Sequence, residues 1–359
     1  MNIAATIAAE LNVKESQVST ALQLLAEGNT VPFIARYRKE ATGGLDDSQL
    51  RTIEERANYL KELQERKETI LAAIEEQGKL SDALKEQILA CETKARLEDL
   101  YLPYKKRRKT KADIAREAGL EELTDKLIAD PNAAPEELAQ AFTTEGFEDT
   151  KKALDGARAI LVDRFALDAD LVGEVRERMF TEGSMGAHVV EGKEAEGAKF
   201  KDYFDFNEPF HKLPSHRILA LLRGENEGVL QLQLDAGDDA DYEDVIASRF
   251  ELDRSSKWLA DAVHWGWRTK LYISSSLDVR MRLKEIAEEG ALKIFATNLR
   301  DVLLAAPAGQ RSTIGLDPGY RNGVKCAVVD KTGKVLDTAI VYPHQPQNQW
   351  SQAVQTLST

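Results

Sequence analysis

The sequence has 359 residues, which is enough for roughly two or three domains that each bury a core. Its content of 43% hydrophobic and 30% charged residues is that of a soluble globular protein and excludes a disordered chain. The formal net charge of −13 excludes a protein whose whole surface coats nucleic acid, but it permits a local basic patch, because salt screens charges beyond roughly 10 Å.

The N-terminus contains neither a basic region nor the apolar segment of a signal peptide. The sequence contains no run of about eighteen apolar residues and therefore predicts no membrane span. Cys91 and Cys326 lie far apart in apolar surroundings, which predicts buried thiols in a reducing compartment rather than a disulfide or a metal site. These features predict a cytoplasmic protein without a metal or other cofactor.

The first residues predict two short helices in a helix-turn-helix-like arrangement. Asn12 and Glu15 have the spacing of a capping box at the start of the second helix, and Gly28 ends it. A DNA-reading helix needs Arg or Lys on its exposed face. Because this face carries only neutral polar residues, we favour a scaffold hairpin over a DNA reader; they are Ser16, Gln17, Ser19, Thr20 and Gln23.

Longer helices follow. Pro32 starts a short helix that carries Arg36, Arg38 and Lys39. Asp46 and Gln49 then begin a long helix through Gln77, whose apolar residues repeat at threes and fours and predict one buried stripe: Leu50, Ile53, Ala57, Leu60, Leu63, Ile70 and Ile74. One further helix, Asp82–Leu100, is predicted to stop before Pro103.

Residues 105–111 read KKRRKTK, six basic residues in seven, directly after Tyr101 and Tyr104. A solvated loop is the ordinary interpretation of a charge run. Concentrating this charge in an acidic protein costs self-repulsion unless something anionic offsets it, so we favour phosphate binding. The candidate nucleic-acid-binding residues are therefore Lys105, Lys106, Arg107, Arg108, Lys109 and Lys111.

Residues 112–183 predict a small helical subdomain, and its last helix is capped by Asp168 and ends at Gly183. Residues 184–310 predict a mainly helical region with one possible short strand, Val229–Leu234. His211 and His216 are interpreted as structural residues, because their spacing places them on different helical faces. The tryptophans and the apolar stripe of the last helix are predicted to be buried: Trp258, Trp265, Trp267, Ile286, Ala287, Ala291, Ile294, Phe295 and Val302.

The last segment predicts three antiparallel strands. An apolar run ends at Asp317, Pro318-Gly319 predicts a turn, and Asp330–Gly333 predicts a hairpin turn. This pattern resembles the opening strands of ribonuclease-H-like folds, in which the first Asp holds a metal ion. Asp317 is thus a weak catalytic candidate, and we favour a turn carboxylate that accepts backbone N–H bonds.

Several blocks of the sequence resemble the bacterial Tex family of transcription accessory proteins, in order along the chain: EGNTVPFIARYRKEATGGLDDSQLR, LEDLYLPYKKRRKTK, EGAKFKDYF, PSHRILALLRGENEGVL and AAPAGQRSTIGLDPGYRNGVKCAVVD. The resemblance implies a helical N-terminal half with helix-turn-helix-like units, followed by a YqgF-type ribonuclease-H-like domain. It also implies nucleic-acid binding with RNA preferred, and a role in transcription. Because the family continues beyond these elements, we interpret the chain as an N-terminal fragment.

The predicted fold is a mainly α multi-helix scaffold followed by the truncated three-stranded antiparallel start of a ribonuclease-H-like α/β domain. The expected regions are residues 1–111, 112–183, 184–310 and 311–359. The leading functional hypothesis is a monomeric, non-enzymatic scaffold that binds RNA, with DNA left open as a second ligand. A metal-dependent nuclease using Asp317 and a docking module for RNA polymerase or other transcription machinery are the alternatives.

Overall fold

The computed structural model describes residues 2–106, 108–306, 309–319 and 323–358. The chain divides into two units, residues 1–288 and 289–359. In the described residues the helices and strands are, in chain order, α1 (Ile3–Leu11), α2 (Glu15–Ala26), α3 (Val31–Tyr37), α4 (Asp47–Glu76), α5 (Asp82–Ala90), α6 (Lys94–Tyr101), α7 (Lys111–Glu117), α8 (Glu121–Ala129), α9 (Pro135–Gln140), α10 (Thr150–Leu167), α11 (Ala169–Glu182), β1 (Ser184–Val189), β2 (Asp205–Pro209), α12 (Ser215–Asn226), β3 (Leu230–Asp235), α13 (Asp239–Arg249), α14 (Lys257–Gly266), α15 (Tyr272–Leu303), β4 (Thr313–Gly319), β5 (Gly323–Val329), β6 (Val335–Val341) and α16 (Trp350–Leu357).

The N-terminal hairpin packs against the first turns of α4. Ile7, Val18, Ile34 and Leu50 are fully buried in one cluster at this junction. The predicted capping role of Asn12 is wrong: this residue has a φ of 53° and ends α1, whereas Lys14 precedes α2. An Asn in the left-handed region satisfies the last carbonyls of a helix, which is why it serves here as a C-cap.

α4 confirms the predicted long helix. The Asp46 carboxylate accepts the Gln49 N–H at 2.8 Å, and the Gln49 side chain accepts the Asp46 N–H at 3.0 Å, so both ends of a capping box are made. The predicted stripe is buried throughout. Lys67 is buried in the same stripe, and its ammonium donates one hydrogen bond to the Leu89 carbonyl at 2.8 Å.

The single helix predicted over Asp82–Leu100 is wrong, because the chain breaks between α5 and α6. Cys91 ends α5 in an extended conformation, and the Thr93 hydroxyl accepts the Arg96 N–H at 3.2 Å to cap α6. Burial raises the pKa of the Cys91 thiol. Cys91 and Cys326 are both free and buried.

Residues 184–235 contain more sheet than the one strand predicted there. β1 lies between β2 and β3, antiparallel to both, and Ser184 pairs with Pro209 on one side and Asp235 on the other. The inward residues Met185 and Ala187 are fully buried in the main core of the first unit. Helices α10 to α15, strand β3 and the segments that connect them also contribute buried residues to that core.

The predicted buried stripe of the last helix is only partly correct. Ala287 is fully buried, but Ile286, Ile294, Phe295 and Val302 are all exposed in the structure. An apolar stripe predicts burial only where another element lies against it. No helix in the described part of the chain is long and apolar enough to cross a membrane.

In the second unit, β4, β5 and β6 form an antiparallel sheet in that order, as the sequence predicts. Cys326 pairs with Ala339 and Val324 with Val341, so these four residues share one face. α16 packs on this face through the buried Ala353. The predicted hairpin turn is confirmed, since Asp330 accepts N–H bonds from Thr332 and Lys334, and the Thr332 hydroxyl and these bonds lower its pKa.

Candidate nucleic-acid interface

The basic loop, residues 105–111, follows a short 3-10 turn, Leu102–Tyr104, that ends α6. Its far end is fixed by a second capping box: Thr110 accepts the Asp113 N–H at 3.2 Å, and the Asp113 carboxylate accepts the Thr110 N–H at 2.9 Å. Its near end is fixed by the Tyr104 carbonyl, which accepts the Gln77 side-chain amide at 3.0 Å. Both ends of the loop are therefore anchored to helices.

The cations of this loop that the structure describes face solvent. Lys105, Lys106, Arg108, Lys109 and Lys111 are all exposed. Arg107, the sixth predicted binding residue, lies outside the described residues. Lys109 pairs with Glu117 at 2.6 Å, whereas the other described cations of the loop form no ion pair with any residue that the structure describes. This charge is therefore available to an anionic ligand.

The two tyrosines beside the loop are packing residues. Tyr101 and Tyr104 are half-buried against the cluster formed by α4, α5 and α6. The Arg66 guanidinium lies 5.5 Å from the centre of the Tyr101 ring and pairs with Glu98 at 2.6 Å. The aromatic side chains next to the charge run thus hold the loop in place.

A cleft of about 460 Å³ adjoins the C-terminal end of the basic loop. We call it the Trp265 cleft. Its walls come from the start of α7, from α10 and from the turn after α14; the lining residues are Thr110, Lys111, Ala112, Asp155, Arg158, Ala159, Val162, Asp163, Trp265, Thr269 and Lys270. The sequence predicts Trp265 to be a core residue, and this is wrong, because 52% of it is exposed.

A second basic cluster lies at the end of α3, where Arg36, Arg38 and Lys39 are exposed beside the exposed Tyr37. The following turn is held by the Gln17 amide, which donates to the Thr42 and Gly43 carbonyls at 3.3 and 2.9 Å. Sequence reasoning noted these three cations but did not treat them as a site. The signal was present, since an aromatic residue within a basic run is a pattern of nucleic-acid surfaces.

Asp317 lies inside β4 and not at a turn. The strand continues through Pro318 to Gly319, so the turn predicted at Pro318-Gly319 is wrong. Asp317 is exposed, and within the described residues its carboxylate accepts no backbone N–H bond. The favoured interpretation of Asp317 as a turn carboxylate therefore has no support among the described residues.

The other carboxylates of this sheet do not face Asp317. Asp317 pairs with Lys325 and Asp337 pairs with Val328, and residues 325 and 328 point to opposite faces of β5. Among the described residues, no three His, Cys, Asp or Glu side chains come together in a way that could hold a metal ion. Two-metal phosphodiester cleavage needs several carboxylates converging on ions roughly 3.5–4 Å apart.

Three family descriptions match successive segments of the chain. They are the Tex-like protein N-terminal domain at residues 1–75, the Tex central region at residues 130–295 and the Tex protein YqgF-like domain at residues 311–359. The transcriptional accessory protein Tex of Neisseria gonorrhoeae is 55% identical over 355 residues, which are 97% of this chain and 47% of that protein. The chain belongs to the Tex family.

Two further relatives cover most of the chain. Protein tex of Bordetella pertussis is 50% identical over 373 residues, covering 99% of this chain and 47% of that protein. The human S1 RNA-binding domain-containing protein 1 is 30% identical over 348 residues, covering 93% of this chain and 35% of that protein. The chain thus spans about half the length of the bacterial relatives described here.

The match confirms the resemblance and the predicted fold, a helical scaffold followed by the strands of a YqgF-like domain. The Trp265 cleft falls largely within the Tex central region, and the α3 cluster lies in the Tex N-terminal domain. The basic loop lies between these two matched segments. Nucleic-acid binding at its residues stays a prediction.

Proposed function

We propose that this Tex-family chain is a non-enzymatic scaffold that binds nucleic acid, RNA in preference to DNA, within a cytoplasmic transcription accessory factor. The basic loop carries the proposal: four exposed cations without ion pairs to described residues are concentrated on a protein of net charge −13. Phosphate groups are the natural counterpart of such a patch. The names of two relatives, a transcriptional accessory protein and an S1 RNA-binding domain-containing protein, support transcription and RNA respectively.

The basic loop is tested by reversing all six of its charges to Glu. We expect affinity for single-stranded RNA to fall by more than about tenfold and the salt dependence of log K to flatten by up to about 4, because each lost phosphate contact on a single strand accounts for about 0.7. Affinity is measured by fluorescence anisotropy over a salt series, with a DNA strand of the same sequence for comparison. Weaker binding of DNA than of RNA by the unaltered chain supports the preference for RNA.

The matched control reverses six exposed lysines outside the loop, so that the net charge changes equally: Lys61, Lys151, Lys201, Lys212, Lys257 and Lys293. An equal loss in both variants means that overall charge, and not the loop, governs binding. RNA recovered from reactions with magnesium or manganese stays intact if the chain is non-enzymatic. Cleavage that Asp317→Asn abolishes would support the nuclease instead.

We also infer that the scaffold contacts RNA polymerase directly, a partner consistent with the name of the transcriptional accessory protein Tex. A polymerase pull-down with the chain as bait is expected to retain polymerase after nuclease treatment. Loss of polymerase on nuclease treatment means that the two are joined only through nucleic acid.

A further inference from the structure

Trp265 differs from the buried tryptophan two residues later. The indole N–H of Trp267 donates to Asp239 at 2.7 Å, and the ring is fully buried. Trp265 is half-exposed, and its indole N–H has no partner among the described residues. A large aromatic residue left open beside a basic loop has surface available for stacking.

The Trp265 ring is already held in place on one side. The Arg158 guanidinium lies 5.0 Å from the ring centre and forms an ion pair with Asp155. Gly266, the next residue, packs so closely against Phe165 that a Cβ there would come within 2.7 Å of the phenyl ring. The indole is therefore a fixed platform whose remaining surface opens into the cleft.

The charges of the cleft favour an anion. Its lining carries three cations, Lys111, Arg158 and Lys270, against two carboxylates, Asp155 and Asp163. Asp155 pairs with Arg158, and Asp163 pairs at 2.8 Å with Arg116, which also contacts other carboxylates outside the cleft. Lys111 and Lys270 are exposed and form no ion pair with any residue that the structure describes. These lysines leave a net positive charge beside the indole.

A π-helical turn, Trp267–Leu271, explains why Trp265 and Lys270 line the same cleft. In a regular α-helix of 3.6 residues per turn, side chains five residues apart lie far apart around the axis. In the π turn the Tyr272 N–H bonds to the Trp267 carbonyl, an i→i+5 bond that widens the helix. Such turns are frequent at functional sites.

We propose that the Trp265 cleft binds one unpaired base of single-stranded RNA, stacked on Trp265, with the flanking phosphates on Lys111 and Lys270. Lys111 is also the last residue of the basic loop, so the loop and the cleft share one cation. The volume of about 460 Å³ lies within the range of roughly 300–1,000 Å³ that is usual for small-ligand pockets. This inference rests on the proposed RNA binding and specifies that the cleft holds an unpaired base of the bound strand.

The test compares two strands of about twelve nucleotides, within the range of known single-strand sites. One is an oligoadenylate RNA, and the other is an abasic ribose-phosphate strand of the same charge. We expect Trp265→Ala to weaken binding of the oligoadenylate by about five- to hundredfold and to change binding of the abasic strand by less than about twofold. Trp265→Phe keeps a stacking ring and is expected to restore most of the affinity.

Two controls separate stacking from charge and from folding. Trp350→Ala removes a tryptophan that is 63% exposed in the second unit, and we expect no change with either strand. Lys270→Ala is expected to weaken both strands equally, because it removes a phosphate contact. Circular dichroism confirms that each variant is folded.

The outcomes distinguish this inference from the proposed function. Suppose that reversing the loop charges weakens binding of both strands. If Trp265→Ala then leaves oligoadenylate binding unchanged, or weakens binding of both strands alike, only the stacking site is overturned. If the unaltered chain binds neither strand, RNA binding itself fails and the stacking site fails with it.

Discussion

Trp267→Ala is expected to lower the free energy of unfolding by about 3–5 kcal/mol, the range for aromatic truncation in a core. Trp267 is fully buried and stacks on Tyr242 with ring centres 4.1 Å apart and planes 6° apart. Its indole N–H also donates to Asp239 at 2.7 Å, so truncation removes a hydrogen bond as well as packing. Burial raises the pKa of Tyr242 to about 12, which accords with its tight packing beneath the indole. Urea unfolding followed by circular dichroism measures the loss.

Trp267→Phe separates the two contributions. It keeps a stacking ring but leaves Asp239 without the indole N–H, and we expect a smaller loss of about 1–3 kcal/mol. Trp265→Ala removes a half-exposed ring and is the control, with a change of less than about 1 kcal/mol. A loss for Trp267→Ala no larger than that of Trp265→Ala would show that the stack contributes little.

Arg176→Ala is expected to cost about 3–5 kcal/mol of stability, because it leaves a nearly buried carboxylate without its partner. Arg176 of α11 donates to Asp99 of α6 at 2.7 Å and to Asp278 of α15 at 3.1 Å. The side chains of Arg176 and Asp99 are each only 11% exposed. Burial opposes the charge on Arg176, but the two carboxylates outweigh it and raise the pKa of the guanidinium.

The double variant Arg176→Met with Asp99→Leu tests this origin of the loss. Replacing both members of a buried pair by apolar residues of similar size is often neutral, so most of the lost stability is expected to return. Arg223→Ala, which breaks an exposed pair with Glu227 at 4.0 Å, is expected to cost less than about 0.5 kcal/mol. If the double variant is as unstable as Arg176→Ala, the loss comes from packing rather than from the unpaired charge.

Elements with local signals could be predicted from the sequence. The start of α4 follows from Asp46 and Gln49, whose side chains bond to each other's backbone within one turn. The break before α6 had the same kind of signal in Thr93, which the continuous apolar pattern obscured. The sheet of the first unit had no such signal, because Ser184 pairs with Asp235 across fifty residues of chain and β1 contains Gly186.

The candidate site likewise has features that the sequence predicts and features that it does not. The exposure of the basic loop follows from its amino-acid sequence alone, since so many adjacent cations cannot be buried. The exposure of Trp265 could not be predicted, because helical spacing amid apolar residues is identical for a core tryptophan and for an open one. Phe295 shows the reverse error: its position in a stripe predicts burial, and 63% of it is exposed.

The π turn also lets the helix carry one extra residue without losing the cleft. Such a turn amounts to one residue inserted into an α-helix, and each helical residue advances the face by about 100°. If the segment kept its length but took regular α-helical bonds, Trp265 and Lys270 would lie about 140° apart around the axis and could not line the same cleft. Deleting Arg268 would instead leave them four residues apart, the spacing of one face in a regular α-helix, so the indole and the amine of Lys270 would still face the same space.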